Sequence, residues 1–232
     1  GFCTDVLVAV VAEGGFLKLA LGLVTVNQVV AAGTGKFIGV VLAPMPVFNL
    51  GLVAVQAHGV LLFRRYIGIL TEGTTSRMRA DTLRSLTPGA HWDAIDTDEG
   101  FRQAGRIWKT TAFRFKTGPL VRQINHRVVE HTKDKLYDLI WIDKGIYLWP
   151  SSVRHLRNSA DCLVHFTPDT AFHVNRSRHF YASASQYDLF VTTKSFEMDE
   201  YGEIAAKDQI YLATQAYDAQ LHRLPEKLAA RI

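Results

Sequence analysis

Residues 137–145 read YDLIWIDKG, an apolar run of strand length that ends abruptly in Asp143, Lys144 and Gly145. The run is too short for a buried helix and does not alternate polar with apolar, which fits a strand covered on both faces. Three further runs have the same character and follow in quick succession: Cys162 to Phe166, Tyr187 to Val191 and Gln209 to Ala213. Amphipathic stretches stand between them, around Ser152 to Asn158, Arg178 to Gln186 and Phe196 to Ala206. Upstream, Tyr66 to Leu70 and Trp92 to Ile95 read as two more strands. Between these two, Ser76 or Thr75 can cap a helix whose stripe is Met78, Leu83 and Leu86, closed by Pro88-Gly89. A long helical region from about Phe101 to Thr132 is interrupted near Gly118-Pro119. Strands alternating with helices predict an α/β fold, a Rossmann-like parallel sheet with helices on both faces.

In such sheets ligands bind beyond the carboxyl ends of the strands, near the topological switch point. The segments just past the strands are therefore the candidate loops. They are Thr71 to Arg79, Asp96 to Glu99, Asp143 to Gly145, Thr167 to Asp169, Thr192 to Ser195 and Gln215 to Asp218. Lys144, Asp169 and Lys194 each follow a buried run closely, where a rigid scaffold aims a side chain. The first turn, with Gly73, Thr74, Ser76 and Arg77, offers backbone N–H groups and a helix N-terminus to an anionic group. Against this, loops are polar in any protein, surface lysines are common, and the Asp-Lys-Gly turn can serve backbone shape alone.

The chain before Arg64 is different material. Gly1 to Phe63 carries four charged side chains, Asp5, Glu13, Lys18 and Lys36. Phe37 to Phe63 is 27 residues without Lys, Arg, Asp or Glu, followed by Arg64-Arg65. That length spans a bilayer, and the arginines favour its cytoplasmic side. Val6 to Ala32 is a weaker span because it carries Glu13, Lys18, Asn27 and Gln28. Residues 1–63 are thus expected to be an apolar, helical leader with one or two transmembrane helices, and residues 64–232 a separate domain. Buried soluble elements rich in Val and Gly are the plainer alternative. A signal peptide fits poorly, since the apolar material is too long and lacks a basic start.

Several chemistries find no support. The net charge of +4 is spread among interleaved acids and bases, which argues against nucleic acid. Cys3 and Cys162 form no CxxC pair and have no metal-ligand spacing; a reduced cytoplasmic setting fits them. The first turn, TEGTTSR, is not a GxGxxG fingerprint, and there is no GxxxxGK[ST], HExxH or GxSxG. The nine histidines are scattered, and His126 and His131 are wrongly spaced for a one-face metal pair. No metal and no cofactor is expected.

Seven segments together resemble CgeB-like bacterial glycosyltransferases of the two-domain GT-B architecture. They are TSRMRADTLRSL (75–86), DTDEGF (96–101), FRFKTGPLVRQIN (113–125), YDLIWIDKGIYLWP (137–150), LVHFTPDTAFH (163–173), YDLFVTTKSF (187–196) and AYD (216–218). The leader is outside the resemblance. The resemblance implies the N-terminal, acceptor domain of an enzyme that moves a sugar from a nucleotide-sugar donor to a polysaccharide, lipid-linked or protein acceptor. The donor would be held by a C-terminal domain that this chain lacks, so the chain is expected to be a fragment, inactive alone; its expected place is the cytoplasm, where the apolar leader can attach it to the inner face of the cytoplasmic membrane. Such chemistry needs a base at the acceptor hydroxyl and positive charge near the leaving diphosphate. By carry-over, Asp169 is the expected carboxylate, with His165 in reserve, although His165 inside a strand run suits a core histidine. Gly73, Thr74, Ser76, Arg77, Lys144, Thr167 and Lys194 are the expected substrate-binding positions. A non-catalytic α/β binding module, or the end of a polysaccharide transporter fused to such a domain, are the competing readings.

Overall fold

The computed structural model describes residues 62–214 in full and, upstream, the backbone of two short strands. These are β1 (Val8–Glu13) and β2 (Phe16–Leu21), paired antiparallel from Val8↔Leu21 to Glu13↔Phe16. Over these two segments the backbone is extended rather than helical, in keeping with the valine-rich VAVVAE run and the Gly14-Gly15 pair that separates them. The rest of the leader lies outside the described residues. That includes the candidate span Phe37 to Phe63 except for Leu62 and Phe63, which open a strand instead. Among the described residues no helix is long and apolar enough to cross a membrane.

The main domain is a six-stranded, wholly parallel sheet. In chain order it comprises β3 (Leu62–Gly68), α1 (Thr75–Leu86), β4 (Ala90–Asp96), α2 (Glu99–Gln103), α3 (Arg106–Phe115), α4 (Pro119–Thr132) and β5 (Tyr137–Asp143). There follow α5 (Pro150–Asn158), β6 (Ala160–Thr167), α6 (Arg178–Ser183), β7 (Leu189–Thr192), α7 (Met198–Gly202) and β8 (Ile210–Leu212). The strand order is β4-β3-β5-β6-β7-β8. This is the Rossmann-like α/β architecture that the sequence pattern predicts. The predicted helical region 101–132 divides into three helices, with Gly105 and Gly118 at the breaks and Pro119 as the first residue of α4.

Alternation along the central strands sorts the core into two layers. Tyr66, Leu139, Trp141, Cys162, Val164 and Phe166 face α1, which contributes Ala80 and Leu83. Ile67, Ile140, Ile142 and Leu163 face the opposite layer, where Ile124, Val128, Val153 and Leu156 of α4 and α5 pack. The reversal of direction gives the fold its switch point. From β3 the chain crosses over α1 to β4 on one side, then returns past β3 to pair β5 on the other. Right-handed crossovers in opposite directions put the connecting helices on opposite faces, so the carboxyl ends of β3 and β5 lie between connections that leave in opposite directions.

Candidate functional site at the switch point

A cavity of about 460 Å³ lies at the carboxyl ends of β3 and β5. That is within the range of small-ligand pockets, and the place is where open parallel sheets bind ligands. One wall is the turn into α1, through Thr74, Thr75 and Ser76; another is Asp143 to Leu148; Phe101 and Phe113 close the apolar side.

The α1 turn is held by its own hydroxyls and by acids from β4. Thr74, not Ser76 or Thr75, is the N-cap: its Oγ1 accepts from the Arg77 N–H at 3.3 Å and donates to the Thr71 carbonyl at 2.7 Å. Gly73 takes a left-handed φ of 79°, which lets the turn close. Asp96 accepts from the N–H groups of Leu70 (3.1 Å) and Asp98 (2.9 Å) and pairs with Arg102 at 2.6 Å. Burial alone would raise its carboxyl, but the Arg102 guanidinium and these N–H groups outweigh that and hold it below the usual range. Thr71 donates to Asp98 at 3.1 Å, and Glu99 pairs with Arg127. The acidic cluster after β4 thus serves as a brace for the neighbouring loop.

Beneath the cavity floor sits a buried polar cluster. The Tyr66 hydroxyl donates to Asp143 Oδ2 at 2.5 Å and lies 3.0 Å from Ser76 Oγ. Arg79 pairs with the same carboxylate oxygen, its guanidinium 4.0 Å above the Phe166 ring. Burial first, and the Asp143 charge second, push the Tyr66 hydroxyl well above its ordinary value, so it stays protonated. The Asp143 side chain is 1% exposed, and its second oxygen, Oδ1, has no hydrogen-bond partner among the described residues. Gly68 is what lets the cluster form. A Cβ there would lie 2.8 Å from both Ser76 Oγ and Tyr66 Cε1, and 2.9 Å from Asp143 Cβ.

The Asp143-Lys144-Gly145 turn has two successive left-handed residues, Lys144 at φ 66° and Gly145 at φ 57°. For a lysine this conformation is uncommon. It is fixed from β6: the Lys144 N–H donates to the Phe166 carbonyl at 2.7 Å, and the Lys144 carbonyl lies 3.1 Å from His165 Nε2. The lysine ammonium then meets Asp169 Oδ2 at 2.6 Å, with Asn175 Nδ2 3.3 Å from the same oxygen. Asp169 is 44% exposed, at the lip of the site. Thr167 Oγ1 closes the turn, 3.2 Å from both the N–H and the carbonyl of Asp169. The buried Glu197 carboxylate accepts from the N–H groups of Ala171 and Phe172 and pins the rest of that loop.

The expected residues therefore separate. Thr74, Ser76 and Lys144 line the cavity, Gly73 shapes its turn, and Thr167 and Asp169 join it through Lys144. Arg77 faces solvent and pairs along α1 with Asp81 at 2.8 Å. Lys194 follows β7, two strands beyond β5, and is not a cavity-lining residue. His165 is a core residue, 1% exposed and packed on Phe180 (4.6 Å) and Tyr187 (5.2 Å). Burial lowers its pKa to about 4, against a smaller opposing effect of the Lys144 carbonyl. It holds the turn from below and, unlike Asp143, is not among the residues lining the cavity, so the reserve catalytic role falls away. The candidate loop Gln215 to Asp218, with its AYD segment, lies outside the described residues.

Tyr66, Asn175 and the aromatic wall of Phe101, Phe113 and Tyr147 are the residues that the sequence pattern misses; Arg79 enters it only as the last residue of the first candidate loop. Phe101 and Tyr147 pack ring to ring at 5.2 Å. Asn125 fixes their frame, donating to the Tyr147 carbonyl and accepting from the Trp149 N–H. Burial, then Asp98, pushes the Tyr147 hydroxyl up to about 12. Among the described residues no group of three or more His, Cys, Asp or Glu is placed to hold a metal ion. Neither a family model nor a curated protein matches the sequence.

Proposed function

We propose that this domain is the acceptor-side half of a GT-B-type glycosyltransferase, and that the switch-point cavity receives the hydroxyl-bearing acceptor. The observation that carries the reading is Asp143. It is a buried carboxylate in the cavity wall, fixed through one oxygen by Tyr66 and Arg79 and, among the described residues, unpartnered at the other. An unpartnered buried acceptor favours a ligand that donates hydrogen bonds, as a sugar or polyol hydroxyl does. Phe101 and Tyr147 add an apolar face against which the C–H face of a sugar ring can pack.

In this reading the Lys144–Asp169 pair at the lip performs the chemistry. Asp169 takes the proton of the attacking hydroxyl, while the Lys144 ammonium orients the carboxylate and offsets negative charge on the departing diphosphate. The nucleotide sugar itself would arrive on a second domain across the cleft. Attachment to the inner face of the cytoplasmic membrane would bring lipid-linked acceptors within reach.

Saturation-transfer NMR on the purified chain, with mono- and oligosaccharides beside free nucleoside diphosphates, tests the proposal. Saccharide signals are expected, weakened at least tenfold in affinity by Asp143→Asn and by Phe101→Ala. Asp169→Asn is expected to leave saccharide binding and folding stability nearly unchanged, within about 0.5 kcal/mol for a part-exposed ion pair. Nucleotide binding in this cavity with no saccharide binding would overturn the assignment.

A further inference from the structure

We propose that α3 is a docking element for an anionic lipid surface, independent of the apolar leader. Of its ten residues only Ala112 is buried. Ile107 and Phe115 stand eight residues apart with Trp108 beside them and Thr111, part-exposed, between, which places the three apolar side chains on one face of a helix. Ile107 is 76% exposed, Trp108 50% and Phe115 57%. A contiguous apolar face of this kind marks an interaction surface.

Charge decides the partner. Arg106, Lys109 and Arg114 flank the apolar face and are exposed, as is Arg122 at the start of α4. No Asp or Glu occurs between Glu99 and Glu130. The acids of β4 and α2 are already engaged, Glu99 with Arg127 and Asp96 and Asp98 with Arg102, and Glu130 stands in the last turn of α4. The one inward cation is Lys116, which caps α3 in a left-handed conformation with its ammonium 4.4 Å over the Phe113 ring. Burial lowers its pKa; the outward basic character of this surface comes from the four exposed cations.

Exposed Trp and Phe beside Lys and Arg on a short helix suit a helix lying in the plane of an interface, its rings among acyl chains and its cations among headgroups. A nucleic acid would use the cations and leave the aliphatic Ile107 uncovered in water. Phe113, 58% exposed, also lines the switch-point cavity.

The test is flotation of the full chain with vesicles of phosphatidylcholine alone and of phosphatidylcholine mixed with phosphatidylglycerol. Brominated lipids read out the depth of Trp108, with Trp108→Phe to subtract the other tryptophans. Arg106→Gln, Lys109→Gln and Arg114→Gln together are expected to weaken partition to the anionic vesicles roughly a hundredfold, since each cation contributes about fivefold. Salt should weaken wild-type binding in the same direction, and bromine should quench Trp108. Binding unchanged by the triple substitution, or no Trp108 quenching, overturns the proposal. So does a dimer in lipid-free solution that Phe115→Ser dissociates, which would assign the face to a second copy. These side chains are exposed, so circular dichroism should show all variants folded.

Discussion

Arg65 and Tyr66 are neighbours in β3, yet they anchor two polar clusters of the same composition on opposite faces of the sheet. Toward the amino ends of the strands, Arg65 donates to Asp93 (2.8 Å) and Thr132 (2.8 Å) and lies 4.5 Å over the Tyr137 ring, whose hydroxyl reaches Asp93 at 3.2 Å. Toward the carboxyl ends, Arg79 and Tyr66 meet Asp143, with Ser76 as the hydroxyl and Phe166 as the stacked ring. Each is an Arg, an Asp, a Tyr and a small hydroxyl residue. Each also leaves a polar atom without a partner among the described residues, Arg65 Nε in the first and Asp143 Oδ1 in the second. The difference is what surrounds the carboxylate. Asp93 is 31% exposed, with Lys135 at 3.8 Å, so water and a second cation share its charge. Asp143 is sealed from solvent and stands in a cavity wall. Composition alone does not separate a structural cluster from a binding one; position relative to the switch point does.

The comparison breaks most forcefully at Arg65. Arg65→Ala should cost about 4 kcal/mol, because it empties a buried site over the Tyr137 ring and removes the hydrogen bonds to Thr132 and Asp93. Lys135 beside Asp93 keeps the cost from rising further. A melting temperature lower by roughly 10 °C, with saccharide affinity per folded molecule unchanged, is the expected pair of results. Loss of affinity at full stability would make the amino-end cluster part of the site.

All six strands of the main sheet are legible in the sequence because β5 and β6 are buried on both faces and their runs are nearly continuous. The first strand is legible only in part. Leu62 and Phe63 belong to β3, but they close a longer apolar stretch and are drawn into it when hydropathy alone is read. The site is half legible. Lys144 and Asp169 stand out because each closely follows a strand, and strand ends are visible. Tyr66 and Arg79 do not, since both lie inside regular elements and become site residues only when the order β4-β3-β5 brings Gly68 beside Asp143. Strand order is a long-range property that local pattern does not contain. Lys194 fails for the same reason: it occupies the right place on its own strand, but that strand is two removed from the switch point.

His165 sharpens the comparison because it supports the carboxyl-end turn without touching a ligand. Folding lowers its pKa from the ordinary 6.5 to about 4 through burial. Between those values the unfolded chain binds a proton that the folded chain excludes, so stability falls as pH drops through this window and the contribution is complete below it. The difference amounts to about 3 kcal/mol. Urea denaturation at neutral pH and near pH 4 should show it in the wild type. His165→Gln keeps an amide donor for the Lys144 carbonyl and removes the titration, so its stability should vary less with pH by that amount. An identical pH profile in the variant would place the acid sensitivity in the carboxylates instead, Asp93 and Asp96 first.

Gly68 offers the finest cut, because it touches the carboxyl-end cluster and nothing at the other end. A methyl group there meets the Tyr66 ring and the Asp143 Cβ, both held by packed surroundings, as well as the more adaptable Ser76 hydroxyl. Gly68→Ala should therefore cost about 2 kcal/mol, the usual scale of overpacking, and should displace Asp143 within the cavity wall. Gly89→Ala, where nothing lies within 4 Å of the added atom, is the matched control and should be nearly neutral. If the cluster is a binding element, Gly68→Ala loses saccharide affinity out of proportion to its loss of stability, the reverse of Arg65→Ala. If both glycine variants bind as the wild type does, the position of Asp143 does not matter to a ligand, and the two clusters are structural alike.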